Sequence, residues 1–176
     1  RAQPIPCRCA PACFPCGDEL VYSMQGSLWR QRLDSTVAVQ LTAGPGYDYQ
    51  PDWSPDGRRL VFARYADDAV ELQGRRLCQR RQSAVPRYYS GSIDHDLSPA
   101  WLPDGESIVF VANPETPYGS GSIYVRSIDG DAEPRLVRRE ETSWKARPDV
   151  APDGRRLIYS SYLGRQWHQL WIAGMD

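Results

Sequence analysis

The residues that could do chemistry are few and widely separated. The two histidines, His95 and His168, lie far apart, and the sequence contains no Gly-x-Ser-x-Gly nucleophile motif, His-Glu-x-x-His metal motif or Gly-x-x-x-x-Gly-Lys phosphate loop. Acidic pairs such as Asp94/Asp96 could bind calcium, but exposed turn carboxylates are far more common than calcium ligands. No catalytic residue, cofactor site or metal site is therefore predicted within these residues.

Four of the five cysteines cluster near the N-terminus, at Cys7, Cys9, Cys13 and Cys16. The Cys13-x2-Cys16 spacing is compatible with a zinc ligand pair. A disulfide within the segment is also compatible with an oxidising compartment. We favour a third interpretation, in which Cys13 and Cys16 are diverged residues of a blade and bind no metal, because they occupy two positions of the repeat described below.

The composition excludes several classes of protein. The chain has 176 residues, 21 basic and 22 acidic side chains and a net charge of −1, so it has no overall field to attract nucleic acid. Its longest strongly apolar run, Ile108–Ala112, is far shorter than the ~20 residues of a membrane span. The 14 glycines and 15 prolines leave little room for long helices, which favours an all-β fold.

A twelve-residue pattern recurs along the chain and is the strongest signal in the sequence. It spans Pro51–Phe62, Pro99–Phe110 and Pro148–Tyr159, and a weaker copy spans Pro11–Tyr22. Repetition at a period of ~40–50 residues is typical of stacked or radially repeated structural units.

Each strong copy contains a Pro-Asp-Gly turn. Proline presets φ at the first central position, aspartate bonds the local backbone, and glycine accepts a positive φ. The predicted structural turn residues are Pro55, Asp56, Gly57, Pro103, Asp104, Gly105, Pro152, Asp153 and Gly154.

The segment after each turn predicts a strand that is covered on both faces. In the first strong copy, Leu60 and Phe62 alternate with Val61, so both sets of alternating side chains are apolar. Further short strands follow in each unit, and four strands in ~40–50 residues are typical of a β-propeller blade.

The predicted fold is therefore an all-β propeller built of four-stranded antiparallel blades. Four blades are recognisable, and the array is expected to be an incomplete part of a larger propeller of about six to eight blades. The predicted boundaries are a Pro/Cys-rich segment 1–10, then blades 11–50, 51–98, 99–147 and an incomplete 148–176.

The second blade departs from the pattern. Between Leu72 and Ser92 the expected third strand is not recognisable, and an arginine-rich stretch, Gln73–Gln82, takes its place. We expect either a variant blade with an exposed arginine loop or a disordered insert. A short helix over Tyr65–Leu77 is an alternative, because its apolar residues roughly follow a period of 3.6.

The alternation of antiparallel strands gathers aromatic and basic residues at the end of the blades opposite the Pro-Asp-Gly turns. Tyrosine, tryptophan, arginine and histidine are residue types that are common in interaction surfaces. The candidate partner-binding residues are Tyr47, Tyr49, His95, Trp144, Arg147, Trp167 and His168.

The unit Pro-x-Trp-Ser-Pro-Asp-Gly-x-x-Leu-x-Phe at Pro51–Phe62 resembles the blade repeat of TolB-like β-propellers. Similar blades occur in TolB, in the propellers of prolyl-oligopeptidase-type peptidases and in propellers fused to amidohydrolases. The resemblance covers roughly residues 11–176. It implies a periplasmic or secreted location, and it implies a partner that is a protein, a peptide or a catalytic domain of the same parent chain.

Two functions follow from these observations. The first is a non-catalytic scaffold that binds protein or peptide partners in the bacterial cell envelope. The second is the propeller portion of a larger secreted hydrolase, either an amidohydrolase or a prolyl-oligopeptidase-type serine peptidase, whose catalytic domain lies outside these residues. Neither function requires a cofactor, nucleic acid or a membrane span from this chain.

Overall fold

The computed structural model describes residues 17–67, 69–77, 97–112, 121–129, 132–139, 144–163 and 167–176. All the regular secondary structure in these ranges is β-strand. The strands are β1 (Glu19–Met24), β2 (Ser27–Arg32), β3 (Ala38–Gln40), β4 (Tyr47–Trp53), β5 (Arg59–Ala66), β6 (Ala69–Arg76), β7 (Leu97–Trp101), β8 (Ser107–Ala112), β9 (Ser122–Ser127), β10 (Arg135–Arg138), β11 (Trp144–Val150), β12 (Arg156–Leu163) and β13 (Trp167–Gly174).

The strands form four antiparallel sheets in chain order, which we call blades 1 to 4. Blade 1 contains β1–β3, blade 2 contains β4–β6, blade 3 contains β7–β10, and blade 4 contains β11–β13. Neighbouring blades contact each other, whereas no described strand of blade 1 contacts blade 4. The prediction of an all-β array of propeller blades that is not closed is confirmed.

The Pro-Asp-Gly segments form the turns between the first and second strands of blades 2, 3 and 4. Gly57, Gly105 and Gly154 have φ of 66°, 68° and 69°, a region that glycine adopts without steric cost. The aspartate of each turn accepts hydrogen bonds from amides that follow it. Asp104 Oδ1, for example, lies 2.8 Å from the amide nitrogen of Glu106. These bonds give hydrogen-bond acceptors to turn amides that do not pair with the neighbouring strand.

Blade 2 contains the third strand that the sequence analysis did not recognise. β6 begins at Ala69 and pairs with β5 over eight consecutive residues, so the expectation of a lost strand is wrong for residues 69–76. The alternative helix over Tyr65–Leu77 is also wrong, because this range contains the end of β5 and the whole of β6. Val70 and Leu72 are buried, and this packing outweighs the weak local pattern. Residues 78–96 lie outside the described residues.

The core lies between the blades. Val61 and Leu72 of blade 2 pack with Ile108 and Phe110 of blade 3, and all four are at most 3% exposed. The opposite face of blade 3 packs against blade 4 in the same way. Both faces of a middle blade are therefore apolar, as the alternating sequence predicts.

Within the described residues, no helix has the length and apolar character that crossing a membrane would require.

Candidate functional site

The first strand of blades 2, 3 and 4 contains a β-bulge at the same repeat position. Gln50, Ser98 and Arg147 have φ of 52°, 54° and 52°, and the pairing with the second strand shifts register at each of them. Each is followed by a proline, which normally favours an extended residue before it. Left-handed backbone at a non-glycine residue costs ~1–3 kcal/mol and tends to occur at functional sites.

The three bulges line one cleft of about 350 Å³ at the inner edge of the blades. The lining residues come in three equivalent triplets, Gln50-Pro51-Asp52, Ser98-Pro99-Ala100 and Arg147-Pro148-Asp149. These triplets lie on β4, β7 and β11, which are the first strands and contact one another from blade to blade. We call this feature the axial cleft.

Two side chains at the cleft hold blade 2 against blade 3. The Gln50 side-chain oxygen accepts a hydrogen bond from the Ser98 amide at 2.8 Å. Asp52 Oδ2 accepts a hydrogen bond from the Trp101 amide at 2.7 Å. Each of these bonds joins a side chain of blade 2 to the backbone of β7, so together they hold the first strands of the two blades next to each other.

The charges in the cleft are two carboxylates and one guanidinium. Burial raises the pKa of Asp52 above its ordinary value, and the nearby negative charge of Asp149 raises it further, although amide hydrogen bonds from Trp101 and Trp53 oppose the shift. Asp149 is exposed and bonds the amide of Val150 at 2.8 Å. Arg147 is also exposed. The cleft thus offers acidic groups and one cationic donor to a ligand.

A buried ion pair supports the strand that leads into the cleft. Arg64 donates to both carboxylate oxygens of Asp48, from Nε at 2.5 Å and from Nη2 at 2.7 Å. The Asp48 side chain is 4% exposed and that of Arg64 is 29% exposed. The backbone of Asp48 also bonds blade 1, because its amide donates to the carbonyl oxygen of Gly26 at 3.1 Å. The ion pair joins β4 to β5 within blade 2, and the backbone hydrogen bond of Asp48 joins blade 2 to blade 1.

The structure brings only part of the predicted partner-binding set to the cleft. Arg147 lines it directly. Tyr47 and Tyr49 lie earlier on β4, and Tyr47 is 64% exposed beside the β1–β2 turn. Trp144 on β11 and His168 on β13 are the backbone partners of Tyr162 on β12, so the three residues are cross-strand neighbours in blade 4.

The other predicted residues and motifs are described at the backbone level or lie outside the described residues. The backbone of Trp167 pairs with that of Leu163. His95 and the four clustered cysteines are outside the described residues. Among the residues that are described, no group of three or more histidine, cysteine or acidic side chains could hold a metal ion.

Sequence reasoning missed Gln50, Asp52 and Asp149, although a signal for them was present. The repeat places a proline at positions 51, 99 and 148, and the residues on either side of it are the ones that line the cleft. Proline in a central strand is unfavourable unless a bulge or an edge accommodates it. A proline at one register of three strands is therefore a signal for a repeated bulge.

Comparison with known proteins supports the same architecture. A family model described as the TolB beta propeller domain matches residues 10–175. No curated protein matches the chain in sequence.

Three solved structures illustrate the likeness. TolB from Acinetobacter baumannii has a TM-score of 0.71 and 18% identity, and the match covers 90% of this chain and 38% of that chain. A putative TolB from Agrobacterium tumefaciens has a TM-score of 0.72 and 15% identity, and the match covers 93% of this chain and 63% of that chain. A prolyl endopeptidase has a TM-score of 0.61 and 16% identity, and the match covers 89% of this chain and 26% of that chain. The chain therefore spans less than two thirds of each of these proteins, and at such identities the likeness establishes the fold.

Proposed function

Because this chain belongs to the TolB beta propeller domain family, we propose that it is a non-catalytic module that binds a segment of a protein or peptide in its axial cleft. The observation that carries the proposal is the repeated bulge, which presents polar side chains of three blades to one cleft. Three unrelated residue types share the same strained backbone, which favours a role at a binding surface.

The chemistry of the cleft favours an extended segment with a cationic group. Asp52 and Asp149 supply negative charge, and Arg147 supplies a donor that can bond a backbone carbonyl or a carboxylate. The three prolines give the cleft rigid apolar walls, which lowers the entropy cost of binding. The partner is thus proposed to place a lysine or arginine side chain between the two carboxylates.

The proposed location is the periplasm or the outside of a bacterial cell. This location rests on the family, because the resemblance to TolB-like propellers implies the cell envelope. The proposed partner is accordingly a protein of that compartment rather than nucleic acid.

A phage-displayed library of twelve-residue peptides tests the proposal. Peptides enriched on the 176-residue chain are expected to carry a basic residue, and their affinity is then measured by fluorescence anisotropy. Asp149→Arg is expected to weaken binding at least about tenfold, since it reverses a charge in the cleft. The fold should tolerate this change because the Asp149 carboxylate is exposed.

Asp176→Arg is the matched control, because it makes the same change at an exposed residue outside the cleft. Equal binding by both variants, or a library that yields no peptide dependent on Asp149, would contradict the proposal.

A second candidate function is the propeller portion of a larger hydrolase. It is favoured by the likeness to a prolyl endopeptidase and to a puromycin-hydrolyzing peptidase of Mycobacterium tuberculosis, of which the chain covers 26% each. Sequencing the coding DNA on both sides of residues 1–176 tests it. A flanking Gly-x-Ser-x-Gly motif or His-x-His cluster supports the hydrolase, whereas flanking sequence that contains only further blades opposes it.

A further inference from the structure

Three polar side chains of blade 2 bond blade 3 across the contact between the two blades. We call such a contact between neighbouring blades a seam. Gln50 and Asp52 accept hydrogen bonds from backbone amides of β7, at 2.8 Å and 2.7 Å. Arg59, at the start of β5, donates to Asp129 at 3.1 Å and to the carbonyl oxygen of Gly105. The seam between blades 2 and 3 is therefore joined by polar groups as well as by its apolar core.

The seam between blades 3 and 4 lacks these bonds, because blade 3 has a shorter side chain at each equivalent position. The repeat places Ser98 at the position of Gln50, Ala100 at that of Asp52 and Ser107 at that of Arg59. Within the part of the chain that the structure describes, none of these three side chains bonds blade 4. Blade 3 instead reaches blade 4 from its outermost strand, where Arg135 donates to the carbonyl oxygen of Met175 at 3.2 Å. Polar bonding thus holds the outer part of this seam and leaves the inner part open.

One backbone amide of blade 4 lies at this open inner part. The amide of Arg147 holds the repeat position of the Ser98 amide, which donates to Gln50. The two residues have the same left-handed backbone, with φ of 52° and 54°, so their amides are presented in the same way. The second amide of the seam, that of Val150, already donates to the carboxylate of Asp149 at 2.8 Å. Among the described residues, no side chain is bonded to the Arg147 amide.

The shorter side chains leave space in blade 3 that a longer side chain fills in blade 2. Ser98 ends at a hydroxyl, whereas the glutamine at the equivalent position extends to a carboxamide. Ala100 has only a methyl group. Both residues line the axial cleft of about 350 Å³ together with Arg147. The cleft is thus bounded by the inner part of the seam and by the Arg147 amide.

The group that fits this position is an uncharged carboxamide. Its oxygen can accept from the Arg147 amide as the Gln50 oxygen accepts from Ser98, and its NH2 group can donate to a carboxylate of the cleft. A carboxylate of similar shape would meet repulsion from Asp52 and Asp149, against the attraction of one guanidinium. An apolar side chain would exclude water from the amide without giving it an acceptor.

We propose that the inner part of the seam between blades 3 and 4 is a specificity subsite of the axial cleft that takes a carboxamide side chain, glutamine or asparagine, of the bound segment. The carboxamide oxygen accepts from the Arg147 amide and takes the role that Gln50 has in the preceding seam. The subsite rests on the proposed function, because it binds one side chain of the segment proposed to occupy the cleft. Its requirement is separate from that for a basic residue.

A substitution in blade 3 tests whether the Arg147 amide is open. Ser98→Gln should supply the acceptor from within the chain, since glutamine already occurs at the same φ in blade 2. Hydrogen exchange of the Arg147 amide, followed by NMR, should then slow about two- to tenfold, as expected for one added hydrogen bond. Ser98→Met is the matched control, because methionine has a similar length but no oxygen, and it should leave the exchange rate unchanged.

A small probe tests the subsite on the unchanged 176-residue chain. N-acetyl-glutamine methylamide is titrated into the isotopically labelled protein, and the chemical shifts of the backbone amides are recorded. The Arg147 amide should shift, and the affinity should be about two- to tenfold higher than that of N-acetyl-methionine methylamide. Ser98→Gln should abolish this preference, because its own side chain then occupies the subsite.

An Arg147 amide that does not respond to the glutamine probe, or that responds equally to the methionine probe, would overturn the subsite. Equal exchange rates in Ser98→Gln and Ser98→Met would do so as well.

The same reagents separate the subsite from the proposed function. Peptides that depend on Asp149 but keep their affinity when every glutamine and asparagine is replaced by methionine would overturn the subsite and leave peptide binding intact. A library that yields no peptide dependent on Asp149 would contradict peptide binding, and the probe titration would then decide on the subsite by itself.

Discussion

The Asp48–Arg64 ion pair allows a quantitative test of how blade 2 is held. The Asp48 carboxylate is almost completely buried and both of its oxygens accept from the Arg64 guanidinium. Removal of the cation leaves an uncompensated buried charge, which costs ~3–5 kcal/mol. Arg64→Met keeps an unbranched alkyl side chain but removes the guanidinium, which also lies 5.8 Å from the centre of the Phe62 ring, so we expect its free energy of unfolding to fall by about that amount.

The two halves of the pair should behave differently. Asp48→Asn leaves behind an arginine whose side chain is 29% exposed and can reach water, so its loss should be only ~1–3 kcal/mol. The double variant Asp48→Asn/Arg64→Met should therefore be more stable than Arg64→Met alone, although it carries one more substitution.

Urea denaturation followed by tryptophan fluorescence measures these differences as shifts of the midpoint at constant slope. Arg58→Met is the matched control, because Arg58 is exposed, and it should change stability by less than ~0.5 kcal/mol. A loss below ~1 kcal/mol for Arg64→Met, or a double variant less stable than Arg64→Met, would refute the reasoning.

Three further predictions concern the cleft and the contacts between blades. Because burial raises the pKa of Asp52 in the folded state, the folded protein binds its proton more tightly than the unfolded chain, and this residue disfavours folding increasingly as the pH rises from the ordinary aspartate pKa. The stability of Asp52→Asn relative to the unchanged protein should therefore increase from about pH 4 to about pH 7. Urea midpoints of both proteins at the two pH values measure it, and a stability difference between them that is independent of pH would contradict this. Arg59→Ala should lower the free energy of unfolding by ~1–3 kcal/mol, because it removes two hydrogen bonds and a cation–π contact between blades 2 and 3, and a thermal melt measures the loss. Gly46→Ala should destabilise the chain by at least ~1 kcal/mol more than Gly44→Ala, since both glycines have positive φ but only the added Cβ at Gly46 would lie 2.6 Å from the Tyr65 carbonyl oxygen; equal melting temperatures would argue against that close approach.

The repeat made most of the fold predictable. The Pro-Asp-Gly turn and the doubly apolar strand after it appear in the sequence of each strong copy, and blades 2, 3 and 4 contain them. Local chemistry determines these features, since turn residues act through their own φ and apolar alternation acts through burial. The all-β class and the open array follow from them.

β6 was not predictable, because its residues carry a weak local pattern. Glu71, Gln73 and Arg75 alternate with Val70 and Leu72, but a run of basic residues follows and hides the strand. Pairing with β5 and burial of Leu72 against blade 3 supply the stability that the local sequence lacks. Tertiary packing commonly overrides strand propensity in this way.

The axial cleft was predictable only in part. The strand alternation groups Arg147 with the aromatic and basic residues at the blade end opposite the Pro-Asp-Gly turns, and the structure places it at the cleft. Gln50 and Ser98 are chemically unlike it, so composition gives no reason to group the three. They come together because one backbone feature, a bulge before proline, recurs in each blade.

The most direct test of peptide binding in the axial cleft is a map of where a bound peptide perturbs the protein. Backbone amide chemical shifts of the isotopically labelled chain are recorded during titration with a peptide from the library selection. The largest changes should fall on the amides of Gln50, Ser98 and Arg147, at the three bulges that line the cleft. Changes that avoid these amides and gather at the Pro-Asp-Gly turns would contradict it.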